Sequence, residues 1–531
     1  MYNLYKSSMD AYTKENTTID TKNKLGIWLM KRDFRLFDNT ALTKAFEECE
    51  QVLAVFCMEP LLYTHAEFSH FHYDAIRTAT EYLNKQIVQK GGQVLYIHRN
   101  IPDALEYLHK RVPFEAIYAH EETGLAHTYE RDKQMIGWCK NTNVDLYEFP
   151  NNGVKRVLAD RDARMDFWNE QVRNADMLPV PMQNWYKKGK VDALSGRYFF
   201  TDLSDGPAHK KFNLPAKGYQ KCSEALGLHT LRDFLDKRGL RYRGGISSMN
   251  TATQFGSRLS IHLAWGTVSL RTVYKSLKTK QAELEDELKS QLPYDRERDI
   301  KKHLVSLRAF KARLYWHSHF IQRLEDEPDL EYRMINPAFE IVKYVKGKKA
   351  KERVRRWLTG TTGYPMIDAS MRCFVQTGFL NFRSRAMITS FASVGLELDW
   401  RDYVNEMAAL MADYVPGIHI PQVQMQSGVT GINTIRVYSP HKQIKDKDPD
   451  CVFIKKWIPE LAKYSPKEII AHSEGKVELE SYCKRVVDFK VTSKNIKDQL
   501  YAIKKDLKTQ EMSNAVFLKH GSRFTKEQRF W

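Results

Sequence analysis

Between residues 25 and 150, short apolar runs alternate with amphipathic stretches. The runs are LGIWLM (25–30), QVLAVFCME (51–59), QVLYIHR (93–99), FEAIYAHEE (114–122) and VDLYEF (144–149). Each is strand-length and nearly continuous in its apolar character, the pattern of a strand buried on both faces. Helical spacing falls between them, in TALTKAFEECE (40–50), around 73–90, in PDALEYLHKR (102–111) and around 128–140. Asp38 or Asn39 is placed to cap the first of these helices. Strand–helix alternation of this kind predicts a doubly wound parallel sheet with helices on both faces. Ligands of such sheets sit at the carboxyl ends of the strands. The first strand is not followed by GxGxxG, so a dinucleotide fingerprint is missing there.

The pattern changes twice further along. Residues 151–215 are irregular and rich in Asn, Pro, Gly and Lys, and read as an interdomain connector. From 216 the period becomes helical, with clear repeats over Asp299–Leu324, Met366–Thr377 and Arg385–Val394. The chain divides into a flexible tail (1–24), an α/β domain (25–150), the connector (151–215), an all-helical domain (216–470) and a Lys-rich, basic, helix-prone C-terminal extension (471–531).

Composition narrows the classes. The chain has 531 residues, with 42% hydrophobic and 12% aromatic positions, enough for a large core and too many for a disordered chain. The seven cysteines are odd in number and show no CxxC spacing, which argues for reduced thiols and against zinc or iron–sulfur sites. No apolar run approaches a membrane span and the start carries no secretory h-region, so a cytoplasmic protein is expected. Lys and Arg exceed Asp and Glu by 18, a surplus that attracts phosphate polymers. The surplus is uneven. KYVKGKKAKERVRR (343–356) has eight basic residues against one Glu, and 471–531 has thirteen against eight acids. A charge run is ordinarily a solvated face.

Four motifs in the second half are more specific: GSRLSIHLAWGTVSLR (256–271), WLTGTTGYPMIDASMRCFVQTGFLNFRSRAM (357–387), LDWRDY (398–403) and RVYSPHKQIKDKDPDCVFIKKWIPEL (436–461). In order and spacing they resemble the photolyase/cryptochrome family, and KRDFRLFDNTAL (31–42) fits that family's antenna domain. The resemblance covers about residues 25–470. It implies an α/β antenna domain joined to an all-helical domain that holds a bent FAD. It also leaves room for a second, antenna chromophore of unnamed identity.

The resemblance assigns candidate residues. Ser257, the Leu259 main chain and Ser260 match the positions that hold the FAD phosphates, where hydroxyls and N–H groups before a helix suit an anion. Gly256 replaces the family's usual Thr. Tyr242 is a further contact. Arg385 and Asp413 match a pair beside the flavin, where a cation offsets a reduced anionic ring and the carboxylate partners the Arg. His419 stands where many photolyases have Asn, opposite flavin N5, and an imidazole there is expected to titrate near neutral pH.

Trp316 matches a tryptophan that stacks on a flipped base. One turn earlier the family commonly has a carboxylate, and this chain has Arg313, a donor in place of an acceptor. Phe382 and Ala386 stand at the paired-histidine positions of the (6-4) enzymes. Trp400 matches the middle member of the family's tryptophan relay, but Val423 and about Gly347 replace its other two. Trp265, Trp316, Trp357, Tyr414 and Tyr438 are alternative carriers. Lys348, Lys349 and Arg383 are candidate DNA contacts.

Two functions follow from these residues. One is a light-dependent repair enzyme, a carbon–carbon lyase that splits pyrimidine dimers in single- or double-stranded DNA with an electron from reduced FAD. The other is a cryptochrome-like blue-light photoreceptor signalling through a protein partner. DNA binding without repair is a third reading. A monomer is expected.

Overall fold

Five strands form where the apolar runs predict them. The computed structural model describes residues 25–158, 160–181, 184–194, 196–212 and 218–521. The expected tail at 1–24 and the last ten residues of the C-terminal extension lie outside them. The strands are β1 (Leu25–Met30), β2 (Gln51–Cys57), β3 (Val94–Ile97), β4 (Ala116–His120) and β5 (Asp145–Phe149). A sixth, β6 (Phe199–Phe200), comes from the connector. The order is β5-β4-β1-β2-β3-β6, all parallel except β6, which pairs antiparallel with β3. Residues on β1 alternate between two cores. Trp28 and Met30 face one, Ile27 and Leu29 the other, and all four are buried. That double burial is why the strands read as continuous apolar runs.

Asn39, rather than Asp38, caps the first helix, its side chain accepting from the Leu42 N–H at 3.0 Å. Asp38 has a positive φ of 55° and instead binds Arg271 of the helical domain. The whole segment after β1 works as a latch. Arg32 donates to the Tyr414 carbonyl at 2.8 Å, Arg35 to the Gly266 carbonyl at 2.9 Å, and the Leu36 and Phe37 N–H groups to Glu224. Gly266 (φ 64°) is pressed against the backbone of Arg32, where a Cβ would lie 2.0 Å from the carbonyl oxygen. Only glycine fits there.

The connector is also structural. Trp168 is fully buried against Tyr315 and Tyr274, and its indole N–H donates to Ser318. Arg156 reaches Glu325 at 3.2 Å and the Glu122 carbonyl at 2.8 Å, so one connector side chain ties the two domains together.

The helical domain is built on a 33-residue helix, Tyr294–Asp326. Helix Pro416–Ser427 crosses it closely, because Gly417 sits on the Ile321 backbone with no room for a side chain. Residues 471–521, set apart in the sequence as an extension, pack into this domain. Ile496, Leu500 and Val516 of helices Phe489–Lys505 and Leu507–His520 join its core, and His520 binds Glu327. No helix among the described residues is long and apolar enough to cross a membrane.

Candidate functional site

The segment 256–260 is a loop leading into a short helix, Ser260–Ala264. Two side chains fix it from behind. Arg238 donates to the carbonyls of Gly256 and Ser257, and Gln220 donates to that of Arg258 at 2.9 Å. The carbonyls are thereby turned inward. Arg258 takes the left-handed conformation (φ 59°) and lays its guanidinium over the Phe379 ring, 3.6 Å from the centroid. Ser257 is half-buried, Leu259 buried and Ser260 exposed.

Phe379 precedes helix Phe382–Ser390, which carries Arg385. Arg385 donates to both Asp413 oxygens, at 2.9 and 3.0 Å, and to the Leu380 carbonyl at 2.8 Å. Arg258 lies in the field of this pair. Burial, with Arg385 next to it, pulls the Arg258 guanidinium down to about 10, while Asp413 opposes the shift. Asp413 is bound by Arg385, and Arg258 adds a second cation within the field of the same carboxylate. Two cations near one carboxylate favour an anionic ligand.

His419 lies on helix Pro416–Ser427, within the field of the same pair. Its Nε2 bonds to the Val404 carbonyl at 2.8 Å. A carbonyl only accepts, so Nε2 carries the hydrogen and Nδ1 is left as an acceptor. Burial pushes His419 down to about 4, and the nearby Arg385 adds to the shift. The sequence-based expectation of titration near neutral pH is corrected here: a desolvated imidazole beside a guanidinium stays neutral. Trp400 is fully buried, in a turn that packs on the helix bearing His419. Val423 is buried on that helix, and Gly347 is exposed at the start of helix Gly347–Leu358.

The outer residues gather separately. Tyr242 is buried against Phe234 and Phe310. Burial raises its phenol to about 12, against the pull of the adjacent Arg313. Arg313 is exposed and lies 5.7 Å from the Phe382 ring, which Arg383 also approaches. Trp316 follows one turn along, half-buried, with its ring stacked on Phe320 at 5.8 Å. Lys348 and Lys349 stand on another element. They are exposed on helix Gly347–Leu358, which packs against Pro365–Thr377 and Trp400–Asp402. In the same run Arg353 is buried and bound to Glu397, so not all of that charge is free for a ligand.

Sequence reading missed Arg258, Phe379 and Arg238. Arg258 lies inside a recognised motif, but its left-handed backbone and the ring beneath it are set by tertiary packing.

Several buried polar atoms along these segments have no protein partner: Arg258 Nη1, His317 Nε2, Arg383 Nε and Ser384 Oγ. Buried polar groups are rarely left unpaired. Together with the two cations near Asp413, they fit a ligand rich in acceptor atoms, as FAD is.

The crevice at the strand ends is different. It is lined by Lys31, Arg32, Glu59, Glu67, Glu122 and Arg131, among others, and its free volume is about 50 Å³. Arg131 binds Glu59, Glu122 and Asp132 at 2.8–2.9 Å, and Lys31 binds Glu148 at 2.8 Å. Small-molecule sites need about 300 Å³ or more. An antenna chromophore does not fit this crevice as it stands, since ion pairs fill it.

An α/β domain latched to a helical domain, with a half-buried cationic cluster on the helical domain and a separate group of basic and aromatic side chains, defines a class of two-domain cofactor-binding proteins. Residues 26–157 match the family model for DNA photolyase, and residues 310–502 match that for the FAD binding domain of DNA photolyase. The chain belongs to the photolyase/cryptochrome family. It is 26% identical over 456 residues to a deoxyribodipyrimidine photo-lyase of Alkalihalophilus pseudofirmus, covering 82% of this chain and 87% of that protein. It is 24% identical over 475 residues to a cryptochrome DASH of Gloeobacter violaceus, covering 85% and 88%. The fold is similar to that of an archaeal photolyase from Sulfolobus tokodaii solved with two FAD molecules (TM-score 0.72, 22% identity, 90% of this chain and 99% of that one). It is equally similar to a Synechocystis cryptochrome (TM-score 0.73, 18% identity, 91% and 100%).

Proposed function

We propose that this protein is a light-dependent DNA repair enzyme that splits UV-induced pyrimidine dimers. The observation that carries the reading is the pairing of a half-buried, cation-rich cluster (Arg258, Arg385, Asp413) with an outer group of Arg313, Phe382 and Arg383, with Trp316 one turn along from Arg313. FAD, when bound and reduced, supplies the light-driven electron that opens the dimer.

The residues do the rest. Ser257, Ser260 and the Leu259 main chain would hold the cofactor's phosphates, in a loop fixed by Arg238 and Gln220, and Tyr242 would be a further contact. Arg258 and Arg385 would offset the negative charge of a reduced flavin ring. His419 presents only an acceptor, Nδ1, to its surroundings, because Nε2–H is spent on Val404. Trp316 stacks on an extruded base and excludes water from it. Arg313 and Arg383 meet the phosphates. Trp400 is a candidate carrier for electrons entering the site from outside.

The test is a repair assay on reduced protein with dimer-containing single- and double-stranded DNA, under blue light and in the dark. Loss of dimers in light alone supports the reading. Loss of neither cyclobutane nor (6-4) lesions would sink it. The second reading, a cryptochrome-like photoreceptor acting through a protein partner, draws on Arg313, which donates where a carboxylate would accept from a base.

A further inference from the structure

Three guanidiniums, those of Arg161, Arg164 and Arg323, gather where the connector meets the last turns of helix Tyr294–Asp326. Arg164 and Arg323 are 5% and 4% exposed. Arg164 donates to the Met165 sulfur at 3.0 Å, a weak acceptor, and Arg323 to the His520 carbonyl at 3.0 Å. Arg164 Nη1 and Arg323 Nε and Nη1 are buried with no hydrogen-bond partner among the described residues. Burial, with Arg161 close by, pulls both guanidiniums down to about 10.

The acids at that helix end do not balance them. Glu325 is held by Arg156, Thr123 and Tyr129, and Glu327 by His520, Lys519 and Arg333. Asp326 accepts from Gln322 at 2.8 Å, and burial pushes its carboxyl up to about 6. It lies in the field of the arginines, yet among the described residues it forms no ion pair with Arg164 or Arg323.

His319 shows a second mismatch. Arg161 Nη2 stands 2.6 Å from its Nδ1, and Arg323 Nη2 stands 3.3 Å from its Nε2. A guanidinium only donates, and a neutral imidazole has one accepting nitrogen. Whichever nitrogen accepts, the other N–H points at a donor. Protonation would add a further donor, and burial, with Arg323, Arg161 and Arg164 around it, holds the imidazole neutral.

Buried polar groups are rarely left unpaired, and buried cations without a counter-charge are strongly destabilising. Water accepts hydrogen bonds but brings no charge. An oxyanion does both, and forked guanidiniums suit its geometry. Arg164 and Arg323 lie too deep for a polymer backbone, whereas half-buried Arg161 leaves a way in for a small ion.

We infer that Arg161, Arg164, Arg323 and His319 form a binding site for a free oxyanion of the phosphate class. The ion accepts from the orphan N–H groups and pins the connector to the long helix. Through the Arg323 bond to His520 it also secures the C-terminal helix Leu507–His520. Trp316 sets its ring edge-on to His319 at 5.0 Å, so an occupied site steadies the turn that carries it.

The test uses the flavin-loaded full chain, so that the cofactor residues do not compete for the ion. Protein dialysed free of oxyanions is titrated with sodium phosphate and, in parallel, with sodium chloride at matched ionic strength. Equilibrium dialysis should find one tightly held phosphate per chain. The melting temperature should rise by about 2 °C when phosphate stands about a hundredfold above its dissociation constant, and chloride should not reproduce the rise. Arg323→Met should weaken phosphate by about tenfold or more and flatten the rise. Arg161→Gln, at the half-buried edge, should do the same, and it tests the site if Arg323→Met fails to load flavin. An equal rise in chloride overturns the inference. So does the absence of bound phosphate, or phosphate binding that Arg161→Gln leaves unchanged.

Discussion

One nitrogen of Arg385, Nη2, donates to both carboxylate oxygens of Asp413, at 2.9 and 3.0 Å. Asp413 is nearly buried, and Arg385 is partly open to solvent. Removing the cation leaves a buried carboxylate without its partner. Arg385→Met should destabilise the protein by about 2 kcal/mol, below the range for a fully buried pair because Arg385 is partly solvated. Flavin content should fall as well. Arg385→Met/Asp413→Leu should recover the melting temperature without recovering the flavin. Recovery of both would show the pair to be structural only.

His419 gives stability a pH dependence. Its folded value of about 4 lies below the ordinary 6.5 of the unfolded chain. Between those values the unfolded state binds a proton that the folded state does not, so stability falls as pH falls from 6.5 toward 4. The contribution is about 3 kcal/mol at most. Comparing melting temperatures at pH 7 and pH 5, His419→Asn should lose less than wild type. An identical drop would mean that other buried histidines, such as His72 and His262, carry the effect.

Glu67 acts in the opposite direction. Burial pushes its carboxyl up to about 8, and the Tyr414 hydroxyl donates to it at 3.0 Å. The folded state keeps a proton that the unfolded state releases above about 4.5. Stability from this group is present at low pH and is lost as pH rises toward 8. Glu67→Gln should therefore be neutral near pH 4.5 and stabilising by about 2 kcal/mol or more above pH 8. Chemical unfolding at the two pH values reads this out, and a gain that does not depend on pH would contradict it.

Arg156 and Glu325 join the connector to the helical domain at 3.2 Å, with both side chains almost fully buried. Thr123 and Tyr129 of the α/β domain also donate to Glu325. Arg156→Met should cost about 3–5 kcal/mol and loosen the domain contact, visible as faster proteolysis between the domains. The filled crevice nearby predicts one extractable flavin per chain and no added near-ultraviolet band. A second bound chromophore would require this ionic network to open.

Trp316 and Arg313 should separate lesion binding from cofactor binding. Trp316→Ala is expected to weaken affinity for a dimer-containing oligonucleotide by about 5- to 150-fold, the range for one lost stacking contact. Flavin content should not change. Arg313→Glu should alter lesion affinity in the same assay. Loss of flavin in either variant would place these residues at the cofactor instead.

The candidate site residues were legible where their chemistry is local. Ser257, Leu259 and Ser260 sit in one loop, and Arg385, Trp400, Asp413 and His419 recur at motif spacing. Arg258 was not legible, since its role depends on a left-handed backbone and on Phe379, 121 positions away in the chain. The state of His419 was misread for the same reason: residue type gives a pKa near neutral, whereas burial and Arg385 decide the actual one. In the charge run around Lys348 and Lys349, sequence records how much charge the segment has, but not that Arg353 is buried and bound to Glu397.

The sequence alone determined the five strands of the parallel sheet, the helical second domain and the family. Those follow from apolar runs of strand length, from helical periodicity and from motifs, which are properties of neighbouring residues. Tertiary structure decided what distant residues do to one another. It turned the charged segment after β1 into a latch, the connector into a buried brace and the strand-end crevice into a filled ionic network. It also set a second cation near Asp413. Burial and through-space charge act across the fold, and no linear pattern encodes them.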